Sequence, residues 1–155
     1  MIRAFGVFVL GLALTATAGA TLRPPVPLAA QAQIARKAPL LAYAPTRMAL
    51  GFRYHGWLRT PTTVETTFDN KAGWEIRFVA LRLTGSCRAG MEKSFQLDGN
   101  KVYWSHTGAE QQAWRCVTGR NGQKVRLVAS SPQPATKFAD VGLGRVVASA
   151  KRIAT

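Results

Sequence analysis

The sequence predicts an α+β fold: an antiparallel β-sheet of about six to seven strands, a C-terminal helix packed on one face, and one disulfide, Cys87–Cys116. Three observations carry this. Several short runs alternate apolar and polar residues between clusters of Gly, Pro, Asn and Asp, the pattern of strands with one buried face. After Pro132 and Pro134 the apolar period lengthens to three and four residues, which is helical. The only two cysteines flank the clearest hairpin, behind an apolar N-terminus that reads as an export signal.

The hairpin is Ser94 to Trp104, two β-prone runs around Asp98-Gly99-Asn100-Lys101. With Gly99 and Asn100 as the loop, Leu97 faces Val102 and Phe95 faces Trp104. That pairing gathers Phe95, Leu97, Val102 and Trp104 on one face. A second hairpin turns at Asn121-Gly122. Pairing Arg120 with Gln123 there puts Trp114, Cys116 and Thr118 on the face of Val125, Leu127 and Ala129, so Cys116 is expected to point into the core.

Upstream, Phe52 to Leu58 and Thr62 to Phe68 read as the first two strands, and Trp74 to Leu83 as a long third one. Trp74, Ile76 and Phe78 continue the apolar face. Gln112 to Thr118 and Lys124 to Ser130 complete the sheet. In the tail, Leu143, Val146, Val147, Ala150 and Ile153 line one helical face, with Asp140 as N-cap and Lys151 and Arg152 near the negative end of the dipole. Gly142 and Gly144 weaken the first turn by about 1 kcal/mol each.

Residues 1–20 form a signal peptide: Arg3 as the basic start, an apolar run from Ala4 to about Ala16, then Ala18-Gly19-Ala20 for cleavage. That run falls short of the ~20 residues a membrane span needs, so no transmembrane segment is expected in the mature form. Residues 21–42 are an Ala/Pro-rich, mobile leader in which Leu28 to Lys37 forms a short helix ended by Pro39. Residues 43–155 are a single α+β domain. In an oxidising periplasm, envelope or external medium, two cysteines pair most economically with each other. The ~30-residue loop this closes stabilises the fold by about 3.5 kcal/mol in the chain-entropy model.

The full chain carries 21 basic and 7 acidic residues, a net charge of +14, and loses Arg3 with the signal. Such an excess favours anionic partners, namely envelope polymers, phospholipid head groups or nucleic acid, and another exported protein is the other partner expected. The cations are scattered, with no run longer than Arg36-Lys37 and Lys151-Arg152. Arginine outnumbers lysine 14 to 7, which genome composition also explains. Nucleic acid is the disfavoured polyanion.

Tyr43-Ala44-Pro45 with Gly51-Phe52-Arg53-Tyr54, Leu97-Asp-Gly-Asn-Lys-Val-Tyr103, Ala113-Trp114 and Val146-Val-Ala-Ser149 follow one another in a telling order. That order resembles a family of exported bacterial domains of uncertain function, found after signal peptides or outside the membrane helix of anti-sigma-factor-like proteins. The resemblance covers about Tyr43 to Ile153. It implies antiparallel strands closed by a final helix, and names no activity. Ala49 stands where the family has a proline, and a disulfide is not a general family feature.

No catalytic motif is present: there is no Gly-x-Ser-x-Gly, no phosphate-binding Gly-rich loop opening a helix, and no acidic calcium loop. No metal and no cofactor are expected. A zinc site of Cys87, Cys116, His55 and His106 lacks the compact spacings such sites use. The leading expectation is a non-catalytic binding or accessory module. Its contact residues would be Arg53, Arg59, Arg77 and Arg115, with Trp57 and Tyr103 as the aromatics left exposed while Trp104 and Trp114 enter the core. The alternative is a small secreted hydrolase, ribonuclease-like, acting on a polyanion through His55 and His106. One geometric test separates them: a hydrolase needs both histidines in one cleft.

Overall fold

A computed structural model of the chain describes residues 23–107, 110–132 and 139–154. The predicted signal peptide, 1–20, lies outside the described residues. Helix α1 (Leu28–Lys37) comes first, where the sequence places it. The strands follow in chain order: β1 (Tyr43–Ala44), β2 (Arg53–Arg59), β3 (Thr63–Asp69), β4 (Glu75–Arg82), β5 (Lys93–Leu97), β6 (Asn100–Thr107), β7 (Glu110–Thr118) and β8 (Lys124–Ser131). Helix α2 (Ala139–Ser149) and strand β9 (Lys151–Arg152) close the chain. β2 to β8 form one antiparallel sheet in the order β2-β3-β4-β8-β7-β6-β5, and β1 pairs with β9 in a small second sheet. The expected α+β architecture, with its antiparallel sheet, C-terminal helix and Cys87–Cys116 disulfide, is the one observed.

The sheet has two different faces. On the inner face, alternation along β3 and β4 buries Val64, Thr66 and Phe68 against Ile76, Phe78 and Ala80. Leu127 and Ala129 of β8, Ala113 of β7 and Val102 of β6 extend that layer. α2 covers its β6–β8 side with Leu143, Val146 and Val147. Val26, Ile34, Ala35, Leu41 and Ala42 sit in the same cluster. The described part of the 21–42 leader is therefore packed into the core, because its few apolar side chains complete the inner layer beside α2.

Among the described residues no helix packs on the outer face. The connection from β4 to β5, residues 83–92, instead passes beneath β8, β7 and β6, because β4 and β5 stand four strand steps apart in the sheet. The disulfide ties this strap to β7. Beneath it Trp114 is fully buried. Its indole N–H donates to the Cys87 carbonyl at 2.7 Å, Arg126 stacks over its ring at 4.2 Å, and Tyr103 lies 6.0 Å away in a stacked pair.

Both hairpins differ from the expected registers. In the first, the turn is Asp98-Gly99, both at positive φ, so Phe95 faces Val102 and Lys93 faces Trp104. The slip is two residues, an even number, so the faces are kept and Phe95, Leu97, Val102 and Trp104 still share one side. In the second, a turn at Arg120–Gly122 with Asn121 and Gly122 at positive φ is closed by the Gly119 N–H bonding the Gln123 carbonyl at 2.7 Å. The loop thus has three residues, not two, and Thr118 pairs with Lys124. That odd slip turns β7 over: Ala113, Arg115 and Val117 face inward, while Trp114 and Cys116 face the strap. Trp114 and Cys87, the disulfide partner of Cys116, lie in a second small cluster with Tyr103 and Val128, apart from the main core.

The tail helix is also shorter than its apolar period. α2 starts one residue before Asp140, the expected N-cap, and stops at Ser149. Lys151 and Arg152 do not decorate its end; they pair with Ala44 and Tyr43. Gly144 has a packing reason, since a Cβ there would lie 2.8 Å from Phe95 Cε2 and 2.9 Å from Leu97 Cδ1. Trp74, expected on the inner face, sits in the turn before β4 and is 38% exposed.

Candidate functional site

The six expected contact residues do not share one surface. Arg53 and Arg77 lie on the outer face, by the alternation of β2 and β4. Arg77 is engaged: its Nε donates to Glu75 Oε1 at 2.5 Å, and that bond raises the guanidinium pKa above the usual arginine value. Tyr103 is not exposed; with 8% of its surface accessible, it is covered beside Trp114 under the strap. Arg115 is turned inward by the register of the second hairpin. Its Nε donates to the Val147 carbonyl (3.0 Å), Nη1 to Asn100 Oδ1 (2.7 Å) and Nη2 to the Ala150 carbonyl (2.5 Å). Burial holds this guanidinium below the usual arginine value. It is a helix cap, not a ligand contact.

The two histidines do not converge. His55 is on edge strand β2 and His106 on β6, five strand steps apart, about 24 Å along the sheet at the usual spacing. They also lie on opposite faces. His55 Nδ1 meets Asp69 Oδ2 on the outer side at 3.0 Å, whereas His106 stacks on Trp104, 6.3 Å away, at the inner edge. Both cysteines are bonded to each other and so cannot bind zinc as thiolates.

Trp57 and Arg59, by contrast, both meet a lysine from elsewhere in the chain. The last turn of α1 carries Arg36 and Lys37, and Arg59 Nη1 reaches across to the Lys37 carbonyl at 2.9 Å. Lys37 Nζ lies 5.9 Å from the centre of the Trp57 ring, which packs its inner side on the core. From the far end of the chain, Arg152 Nη2 donates to the Pro39 carbonyl at 2.9 Å. Arg36, Lys37 and Arg59, all exposed, and Arg152 thus lie around the end of one helix and the residues that follow it. Among the described residues none of the four is in an ion pair; the described pairs are Arg47–Asp98, His55–Asp69 and Arg77–Glu75.

Part of this arrangement serves the helix. Cations at a C-terminus offset the dipole by about 0.3–1 kcal/mol each, and Arg59 satisfies an end carbonyl. That role uses one donor of a five-donor guanidinium and leaves the rest facing solvent. Like charges held together without a carboxylate raise the local positive potential, which draws anions from solution.

A second cationic spot lies at the other end of β2. A hollow of about 520 Å³ is lined by Gly51, Arg53, Asp69, Asn70, Lys71 and Ala72. Its floor is a fixed turn, because Asn70 Oδ1 accepts the N–H groups of Ala72 (3.0 Å) and Trp74 (2.9 Å). His55 engages the Asp69 carboxylate, while Arg53 and Lys71 are in no described ion pair.

Arg36, Lys37, Lys71 and Arg152 are absent from the contacts read from the sequence. A signal for the first two was present, since no acidic residue precedes Glu65 while Arg23, Arg36, Lys37, Arg47, Arg53 and Arg59 do. Cations in that stretch have no local partner and depend on the fold to supply one. Arg152 carries no such mark, because only the β1–β9 pairing brings it to Pro39. No protein-family model, curated protein or solved structure matches the chain.

Proposed function

We propose that the protein is a non-catalytic binding module of the cell envelope or external medium, and that it holds an anionic polymer. The observation that carries this reading is the gathering of Arg36, Lys37, Arg59 and Arg152 at the end of α1 and the residues after it, with Lys37 over Trp57 and no carboxylate among their described partners. Export is supported by the N-terminal sequence and by the disulfide, which suits an oxidising compartment. The resemblance of the sequence to exported domains of the anti-sigma-factor-like kind fits the same setting. The separation of His55 from His106 weighs against the hydrolytic alternative.

The test is binding of the purified protein to a polyuronate and to inorganic polyphosphate, titrated at several salt concentrations. Affinity should fall as salt rises. Changing Arg36, Lys37 or Arg59 to Ala should each reduce the slope of that dependence by about one unit or slightly less. Absence of binding at low salt overturns the reading. So does polymer cleavage that disappears in His55→Ala or His106→Ala.

A further inference from the structure

Gly56 leaves a bare point on the edge of the sheet. It sits inside edge strand β2 at the register shift between Tyr54 and Gly56. Its φ is not positive, and a Cβ built on it would meet nothing within 4 Å. Glycine suits the irregularity at this register shift, and having no side chain it also leaves the edge backbone open to close approach from outside the protein. β2 is the free edge of the sheet on this side, and no described backbone hydrogen bond joins its outer side to another segment.

The two cationic spots lie on either side of this bare point. Arg59, with Arg36 and Lys37, is at one end of β2 on the inner side; Arg53, with Lys71, is at the other end on the outer side. The two arginines are the ends of the seven-residue strand, six steps and about 20 Å apart. We propose that one linear polyanion crosses the β2 edge at Gly56, held by Arg36, Lys37 and Arg59 at one end and by Arg53 and Lys71 at the other. The inference rests on the polyanion-binding reading and adds to it a path and a minimum length. A chain too short to span β2 engages one spot only. A longer chain engages both, and its second contact is made at the high effective concentration that linkage provides.

The experiment measures binding of the full chain to linear polyphosphate of two lengths, one shorter than the span and one several times longer. The longer chain should bind at least about a hundredfold more tightly, the low end of what two-site engagement gives. Gly56→Thr, which places a branched side chain at the crossing, should abolish that advantage and leave short-chain affinity unchanged. Its melting temperature should not fall, since Thr suits a strand better than Gly. Arg53→Ala with Lys71→Ala, both exposed, should do the same without touching β2. Equal affinity for the two lengths overturns this inference while leaving the binding reading intact. An undiminished long-chain advantage in folded Gly56→Thr or in the double variant also overturns it. Failure of both lengths to bind at low salt overturns the binding reading itself.

Discussion

The two helices of this protein end in different ways, and the same residue type caps both. At the end of α2 every exposed carbonyl is taken. Ser149 Oγ bonds the Val146 carbonyl, Arg115 takes those of Val147 and Ala150, Asn100 Nδ2 takes that of Ala148, and Thr46 Oγ1 that of Ser149. The partners come from β6, β7 and the segment after β1, and Ser149 also accepts the N–H groups of Thr46 and Arg47. At the end of α1 a single exposed arginine, Arg59, reaches the Lys37 carbonyl. Arg115 is half-buried and has given up water for fixed acceptors; Arg59 keeps most of its donors in solvent. A guanidinium enclosed by carbonyls is part of the fold. One that only leans on a helix end remains available to a ligand.

The sharpest way to break this contrast is Arg115→Met. The methionine keeps much of the apolar stem but strands the Ala150 carbonyl and Asn100 Oδ1, and leaves the Val147 carbonyl with only the Ala150 N–H. Leaving partly buried acceptors unsatisfied costs about 1–3 kcal/mol apiece, offset by the relief of not desolvating a charge. A net loss of about 3 kcal/mol is expected, read as a lower urea midpoint with an unchanged slope. A loss under about 1 kcal/mol would show that water can cap α2 and that the contrast is only one of exposure.

Gly144→Ala probes how closely α2 approaches the sheet. The substitution gains about 1 kcal/mol of helix propensity. It also drives a methyl group into Phe95 and Leu97, at 2.8 and 2.9 Å before relaxation. Overpacking of that kind costs about 1–3 kcal/mol, so a net loss of about 1 kcal/mol is expected. A more stable variant would mean that β5, a short edge strand, yields easily.

How much of this was legible from the sequence depends on the range of the interaction. Strand positions, the α1 helix and the disulfide pairing are written in local alternation and in cysteine count, and they stand close to where they were read. The first hairpin slipped by two residues without consequence, because a shift of two preserves faces. The second slipped by one, since Asn121-Gly122 at positive φ suits a three-residue loop as well as a two-residue one. That single residue moved Arg115 from solvent to the end of α2, and moved Trp114 and Cys116 under the strap. The end of α2 was illegible for a different reason. The apolar spacing runs on to Ile153, but Arg115, Asn100 and Thr46 capture the chain at Ser149, and none of them is near it in sequence. The cationic cluster is a meeting of α1, β2 and β9, so a search for runs of charge could find only its Arg36-Lys37 component.

The smallest expected stability effect is also the most informative, because it isolates function from fold. Arg59→Met removes one exposed hydrogen bond to Lys37 and one charge from the α1 cluster. Exposed contacts of this kind contribute within about 0.5 kcal/mol, so the urea midpoint should hardly move. Binding to a polyuronate at low salt should weaken, and the salt slope should shrink by about one unit or slightly less. Arg115→Met, measured where it is still folded, should leave that slope alone, because its guanidinium faces the helix end and not the solvent. If the two variants exchanged these effects, with Arg59 holding the fold and Arg115 setting the salt slope, the cationic surface would have to be sought along α2. If neither changed the slope, the charge excess would act as a diffuse field without a localised site.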